Sequence, residues 1–292
     1  MVVVRLTGGL GNQLFQYAAA RRLALVRGAE LALDIGWFRH EAPRYPAARS
    51  YELQHLDPPA RVVSLPPAAI LRWERGLAAR IGRWPGRRIR LPVIRQNSDW
   101  SGVDERVLDG PADVLLDGYW QNERYFQDAA ETIRAELTLP AAPAPRFGEL
   151  LKAIGSSEAI AVHVRRGDYV AVPQVAEVHG TVELSYYRRA VGLVTDRAGL
   201  DAHVFVFSDD PEWAEEQLAF ELPTTHVGRM AWSASAELRL MASCRHHVVA
   251  NSSYSWWGAW LAERPGQVVV APKRWTRSTD SSAIVPSRWM RI

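Results

Sequence analysis

Pro140-Ala-Ala-Pro-Ala-Pro145 packs three prolines into six residues, a density that admits neither regular helix nor sheet, and it divides the 292-residue chain near its middle. Both halves carry the same pattern, a β-branched run that stops at a glycine turn. Val2-Val-Val-Arg-Leu6 reads as a buried strand running into Thr7-Gly-Gly-Leu-Gly-Asn-Gln13. A helix then starts, with Leu14, Tyr17, Ala18, Arg21 and Leu25 at helical spacing. In the second half, Ile160, Val162 and Val164 form a run that ends in Arg165-Arg166-Gly167-Asp168. The length suits two domains of ordinary size.

Residues 29–34 give a second strand and with it a parallel β-loop-α-β unit. Between Gly36 and Asp109 the pattern loosens, and the spacing predicts short helices around 68–81 and a strand near 91–94. A strand at 114–118 and a helix at 128–137 close this half. Beyond the prolines, helices at 147–154, 186–198, from Pro211, 236–243 and 255–262 alternate with strands ending near Val164, at 203–207, at 248–250 and, last, at 268–271. That alternation predicts a doubly wound parallel sheet, with ligands outside the carboxyl ends of its strands.

Three such ends converge on one crevice. Arg165 and Arg166 are planar cationic forks suited to a phosphate or carboxylate; the plainer alternative is a surface ion pair with Asp168. Ser208-Asp209-Asp210 ends the next strand, where Asp209 can accept from a guanine edge or a ribose, or else cap the helix as Asp210 or Ser208 also could. Asn251-Ser252-Ser253, leading into a helix, offers hydroxyl and backbone donors. In the first half, Asn12 and Gln13 can bond sugar hydroxyls, or the glycine loop is only a packing turn. Tyr119-Trp120-Gln121-Asn122 either stacks on a sugar or closes the core.

Other chemistries are excluded or lack support. There is no Walker loop, no Gly-x-Gly-x-x-Gly after a strand and no nucleophile elbow. His246 and His247 are adjacent, so in a strand they face opposite ways and cannot share a metal; they read as packing residues. The single Cys244 forbids an intramolecular disulfide and a cysteine zinc site, which points to a reducing compartment. A net charge of +3 suits an anionic ligand but is too weak for nucleic acid. No signal peptide and no apolar run of the ~20 residues that span a bilayer is seen, so the expected location is cytoplasmic, with peripheral contact at an inner membrane. Twelve tryptophans suit either a sugar site or plain packing.

Four stretches in order, Gly8-Gly-Leu-Gly-Asn-Gln-Leu-Phe-Gln-Tyr17, His163-Val-Arg-Arg-Gly-Asp-Tyr169, Phe207-Ser-Asp-Asp210 and Ala250-Asn-Ser-Ser-Tyr-Ser-Trp-Trp-Gly-Ala-Trp-Leu261, resemble the motifs of the α-1,2-fucosyltransferases, glycosyltransferase family 11. Gly118-Tyr-Trp-Gln-Asn-Glu-Arg-Tyr-Phe126 resembles a further family segment. Tyr254, Trp120 and Glu237 depart from the residues common there, and 36–109 matches poorly. The resemblance implies an α/β, GT-B-like fold of two facing Rossmann-like domains with a donor cleft between them. The first domain, 1–145, would carry the glycine-rich loop and the acceptor side; the second, 146–292, would bind GDP-fucose.

It also implies an inverting, metal-independent transfer of L-fucose to the 2-hydroxyl of a galactose-ended glycan, lipid-linked glycans among them, with no cofactor. In that scheme Arg165 contacts the β-phosphate, Arg166 supports it, and Asn251, Ser252 and Ser253 add donors. His163 and Asp209 read the nucleoside, while Gly11, Asn12 and Gln13 face the fucose or phosphates from the opposite domain. Asp168 is the nearest candidate base, with Glu177 and His179 as rivals, or else Asp168 only holds Arg166 in place. The alternatives are an enzyme of this fold using another nucleotide-sugar, and a nucleotide- or carbohydrate-binding protein without turnover.

Overall fold

The computed structural model describes residues 1–44, 49–77, 79–80, 88–97, 102–198, 201–228 and 232–292. It divides into two compact units, Met1–Thr138 and Leu139–Ile292, so the division precedes the proline stretch rather than following it. Two α/β units, each built on a parallel sheet, agree with the fold class that the motifs imply. Among the described residues no helix is long and apolar enough to cross a membrane.

The first unit holds β1 (Val2–Arg5), β2 (Leu31–Asp34), β3 (Arg61–Val63), a separate antiparallel pair β4 (Ala79–Arg80) and β5 (Arg88–Ile89), then β6 (Val93–Arg95) and β7 (Val114–Asp117). Its parallel sheet has the order β3-β2-β1-β7-β6, and the register sets Arg5 beside Asp34 and Arg95 beside Asp117. Helix α1 (Leu10–Arg27) follows β1 through Gly8, whose φ of +74° lies in the left-handed region that favours glycine. The helix starts earlier than its spacing predicts. The N–H groups of Asn12 and Gln13 both donate to Gly9 O, at 3.0 and 3.1 Å, so Gly11, Asn12 and Gln13 form its first turn instead of a loop. Leu14, Phe15, Ala18, Ala19 and Leu23 are buried, the small alanines letting the helix lie close to the sheet.

The remaining helices here are short: α2 (Gly36–His40), α3 (Pro67–Glu74), α4 (Glu105–Leu108) and α5 (Ala130–Glu136). The helix expected over 68–81 stops at Glu74, and the chain turns into β4; position 81 lies outside the described residues. Trp120 is wholly buried, edge-on to Tyr125 at 5.7 Å, so it closes the core and is not a sugar platform.

The second unit contains α6 (Pro145–Gly155), β8 (Glu158–Val164), α7 (Gly167–Ala171), α8 (Pro173–Val178), α9 (Leu184–Ala198), β9 (Ala202–Ser208), α10 (Pro211–Gln217), β10 (Thr224–His226), α11 (Ala234–Ser243), β11 (His246–Val248), α12 (Ser253–Leu261), β12 (Val269–Ala271) and β13 (Met290–Arg291). The sheet order is β10-β9-β8-β11-β12-β13, parallel throughout. In chain order that is the dinucleotide-fold sequence of strands, with its reversal between β8 and β11.

Alternation along β8 separates two cores. Ile160, Val162 and Val164 pack with Tyr187, Ala190 and Val194 of α9, while Ala159 and Ala161 face Phe147 and Leu150 of α6 and Leu240 and Met241 of α11. The strand expected at 248–250 begins instead at His246, which pairs with Ile160. The strand at 268–271 is not the last, because Met290–Arg291 pairs beyond it. Trp256, Trp257 and Trp260 of α12 are wholly buried, which accounts for part of the tryptophan content as core.

Candidate active site

The central strand β8 delivers its last residues to the point where the strand order reverses. Past Val164 the chain leaves the sheet, and Gly167 opens the short helix α7. A Cβ at Gly167 would lie 2.6 Å from Asp209 Oδ2, so the close approach of Asp209 demands glycine here. Asp209 Oδ1 accepts the Arg166 N–H at 2.8 Å, and its Oδ2 lies 2.9 Å from Arg165 Nη1. Arg165 Nη2 donates to Asp168 Oδ1 at 2.6 Å. Burial works against the Arg165 charge, but Asp209 and Asp168 outweigh it and raise its pKa, so the guanidinium is a fixed cation.

Arg166 is held differently. Its Nε donates to Asp210 Oδ2 at 3.1 Å, and its guanidinium stacks 3.8 Å from the Trp213 ring centre. Asp210 also caps α10 by accepting the Trp213 N–H at 3.3 Å, which leaves Asp209 to the crevice. The carboxylate of Asp168 binds Arg165, where the sequence suggested a brace on Arg166.

On the α11 side of the sheet, His163 is buried and its ring centre lies 5.6 Å from that of Tyr254. Burial above all, with Arg165 adding to it against Asp209, drives the imidazole pKa down to about 4, so the ring is neutral near neutral pH. Glu237, in the first turn of α11, has its carboxyl pushed up to about 7 by burial and by the charge of Asp209. Glu237 was not among the expected site residues. An acid in a first helical turn has an ordinary explanation in the helix dipole, which hid it.

On the other side, the Asn251 amide nitrogen is spent on the fold, Nδ2 donating to His179 O at 3.3 Å, Gly180 O at 3.2 Å and Trp275 O at 3.2 Å, while its Oδ1 is buried with no partner among the described residues. Ser252 and Ser253 start α12, whose first N–H groups lie beside the β8 end because β11 and β8 are sheet neighbours. Tyr169 donates its hydroxyl to Asn251 O at 3.0 Å and stacks on His179 at 4.7 Å with an interplanar angle of 10°.

The first unit places its own motifs at its own reversal point. Gln121 Nε2 donates to Asn12 Oδ1 at 2.7 Å, joining the segment after β7 to the first turn of α1. Gln13 is wholly buried: Nε2 donates to Gly8 O and Ser50 O, each at 2.9 Å, and Oε1 accepts the N–H groups of Glu52 and Leu53, each at 3.0 Å. Its amide has no valence left for a ligand, so Gln13 is a staple for residues 50–53 instead of a donor-facing group. His246 and His247 are also structural; His247 Nε2 donates to Met241 O at 2.9 Å, and His246 Nδ1 accepts the Val268 N–H at 3.0 Å.

A fixed guanidinium, a helix N-terminus beside it and a polar wall of buried His163 with half-buried Tyr254 and Glu237 suit a phosphorylated ligand with a polar ring. The family model for glycosyl transferase family 11 matches residues 92–292. The chain belongs to that family. It is 29% identical over 299 residues to an alpha-1,2-colitosyltransferase of Escherichia coli, covering 100% of this chain and 99% of that one. Over 311 residues it is 28% identical to the O-antigen biosynthesis glycosyltransferase WbnK of Escherichia coli, covering 98% and 99%. Against the galactoside alpha-(1,2)-fucosyltransferase 1 of Saimiri sciureus the identity is 27% over 265 residues, covering 87% of this chain and 63% of that relative. The family named by the motifs is thus the family found, and the chain is a glycosyltransferase.

Proposed function

We propose that this glycosyltransferase moves L-fucose from GDP-β-L-fucose to the 2-hydroxyl of a terminal galactoside, with inversion at the anomeric carbon and without a metal. Arg165, fixed between Asp168 and Asp209 at the reversal point of the sheet, is the observation that carries this reading. A diphosphate leaving group gains charge as the sugar departs, and a prepositioned guanidinium beside the N–H groups of α12 at Ser252 and Ser253 stabilises that charge. Arg166 contributes through its brace on Asp210 and Trp213. Guanine offers two adjacent N–H donors, and the partly desolvated Glu237 carboxyl suits them, with His163 and Tyr254 alongside. Asp209, already bonded to Arg165 and Arg166, orients the clamp in this scheme. Asn12 and Gly11, in the first turn of α1, are assigned to the sugar or phosphates.

The fucosyltransferase relative supports fucosyl transfer and a galactoside acceptor. The WbnK relative, named for O-antigen biosynthesis, supports a glycan acceptor. The colitosyltransferase relative favours one second reading, a donor bearing colitose, the 3-deoxy counterpart of fucose.

Incubation with GDP-fucose, GDP-colitose, GDP-mannose and UDP-galactose against a panel of galactose-ended glycans, followed by NMR of the product, tests these together. The expected product is an α-1,2-linked fucoside, formed equally well in excess EDTA. Exclusive use of GDP-colitose selects the second reading. Linkage to another hydroxyl, or loss of turnover on chelation, overturns the scheme.

A further inference from the structure

We propose that His179 is the base that takes the proton of the acceptor hydroxyl, with Asp168 as the residue that orients it; this rests on the transfer reading above. After α8 the chain returns to the crevice, where several bonds fix it. The His179 N–H donates to Val175 O at 2.9 Å, and the carbonyls of His179 and Gly180 accept from Asn251 Nδ2. The backbone N–H of Arg277 donates to Val178 O at 2.9 Å and its Nε to Ala176 O at 3.0 Å. The imidazole is laid flat on Tyr169, and Arg165 lies 5.5 Å from the centre of the same ring. One aromatic ring therefore contacts both the leaving-group clamp and an imidazole.

The Nδ1 atom of His179 is buried and has no hydrogen-bond partner. The groups that face the ring are Arg165, just past the end of β8, and Asp168 and Tyr169 of α7. Burial lowers the His179 pKa, Asp168 opposes that and Arg165 adds to it, so the imidazole is neutral and can accept a proton near neutral pH. The rivals are placed less well. Glu177 is exposed on α8, Asp168 is bound to a guanidinium, and His163 is sealed beside Tyr254 on the other side of the sheet.

In the step, the acceptor O–H bond breaks as the oxygen bonds the anomeric carbon, and the proton goes to His179. The bond from that carbon to the β-phosphate oxygen breaks, its electron pair leaving on GDP. As Arg165 engages the diphosphate, Asp168 is released to the unpartnered Nδ1, which favours the protonated ring.

The test uses His179→Gln and His179→Ala in the full chain. GDP affinity by calorimetry is expected within about threefold of wild type, while kcat for transfer falls about 10²–10⁴-fold and the acid limb of its pH profile disappears. Added imidazole should restore part of the activity of His179→Ala and none to Arg165→Ala. Transfer within about threefold of wild type in a GDP-binding variant, or loss of GDP binding along with transfer, overturns the assignment. Absence of transfer by the wild-type protein instead overturns the reading on which the assignment rests.

Discussion

In the first unit the last residues of four neighbouring strands, Asp34 of β2, Arg5 of β1, Asp117 of β7 and Arg95 of β6, stand side by side in alternating charge. In the second unit the charged residues come after the strands, on the turn at Arg165–Asp168 and the bend at Asp209–Asp210. The first set is closed by strand register. Arg5 pairs with Glu41 and, at 3.5 Å, with Asp117; Arg95 reaches Asp117 at 2.9 Å and Glu74 at 2.7 Å. Asp34 Oδ1 takes the N–H groups of Gly36 and Leu65 at 2.9 and 2.7 Å. Charges fixed within the pleat hold neighbouring strands together. Charges a few residues beyond it are free of register and can exchange an internal partner for a ligand.

The contrast is broken most directly by removing one arginine from each set. Arg165→Ala is expected to keep its thermal melt while transfer falls about 10²–10³-fold, since a donor aimed at developing charge is worth that much. Arg5→Ala should lower the unfolding free energy by about 1–3 kcal/mol in urea titration, because Glu41 loses its partner and Asp117 keeps only Arg95. An Arg5→Ala protein as stable as wild type would erase the difference between the units.

The pH dependence of Asp34 sharpens it further. Burial lifts its carboxyl from the ordinary 3.8 to about 6, so the folded chain binds the proton more tightly than the unfolded chain. Its contribution favours folding below about pH 4 and is lost as the pH rises through 6. Asp34→Asn keeps an oxygen for Gly36 and Leu65 and cannot ionise. It should exceed wild type in stability by about 1–3 kcal/mol near pH 8, with the gain vanishing toward pH 4. Equal stability at both pH values contradicts the burial of that charge.

Gln13→Ala gives the smallest change, about 1–2 kcal/mol of stability by urea titration, through loss of the staple to residues 50–53. Its GDP affinity should stay at the wild-type level. Weakened GDP binding at unchanged stability would return Gln13 to the donor site.

What the sequence revealed follows one physical line. Strands rich in buried β-branched residues, such as Val2–Arg5 and the Ile160–Val164 run, stand out because both faces are covered, and their carboxyl ends point to the candidate site. Asp210 as the cap and Asp209 as the site carboxylate were both open readings, since only the turn geometry decides between neighbours. Gln13 misled because a polar residue near a helix start looks the same whether it bonds a sugar or four backbone groups. His246 and His247 obscured the true start of β11, since their burial depends on partners far along the chain, Glu158 and Val268 among them. Thr224–His226 and Met290–Arg291 are too short to show a period at all. Glu237 became visible only when folding brought it near Asp209.

The central claim is that Arg165 holds the β-phosphate of the leaving nucleotide. Calorimetric titration of wild type and Arg165→Ala with GDP and with GMP tests it without turnover. The account predicts that wild type prefers GDP over GMP by at least about tenfold and that Arg165→Ala binds the two nearly equally. A variant that keeps the full preference for GDP would contradict it.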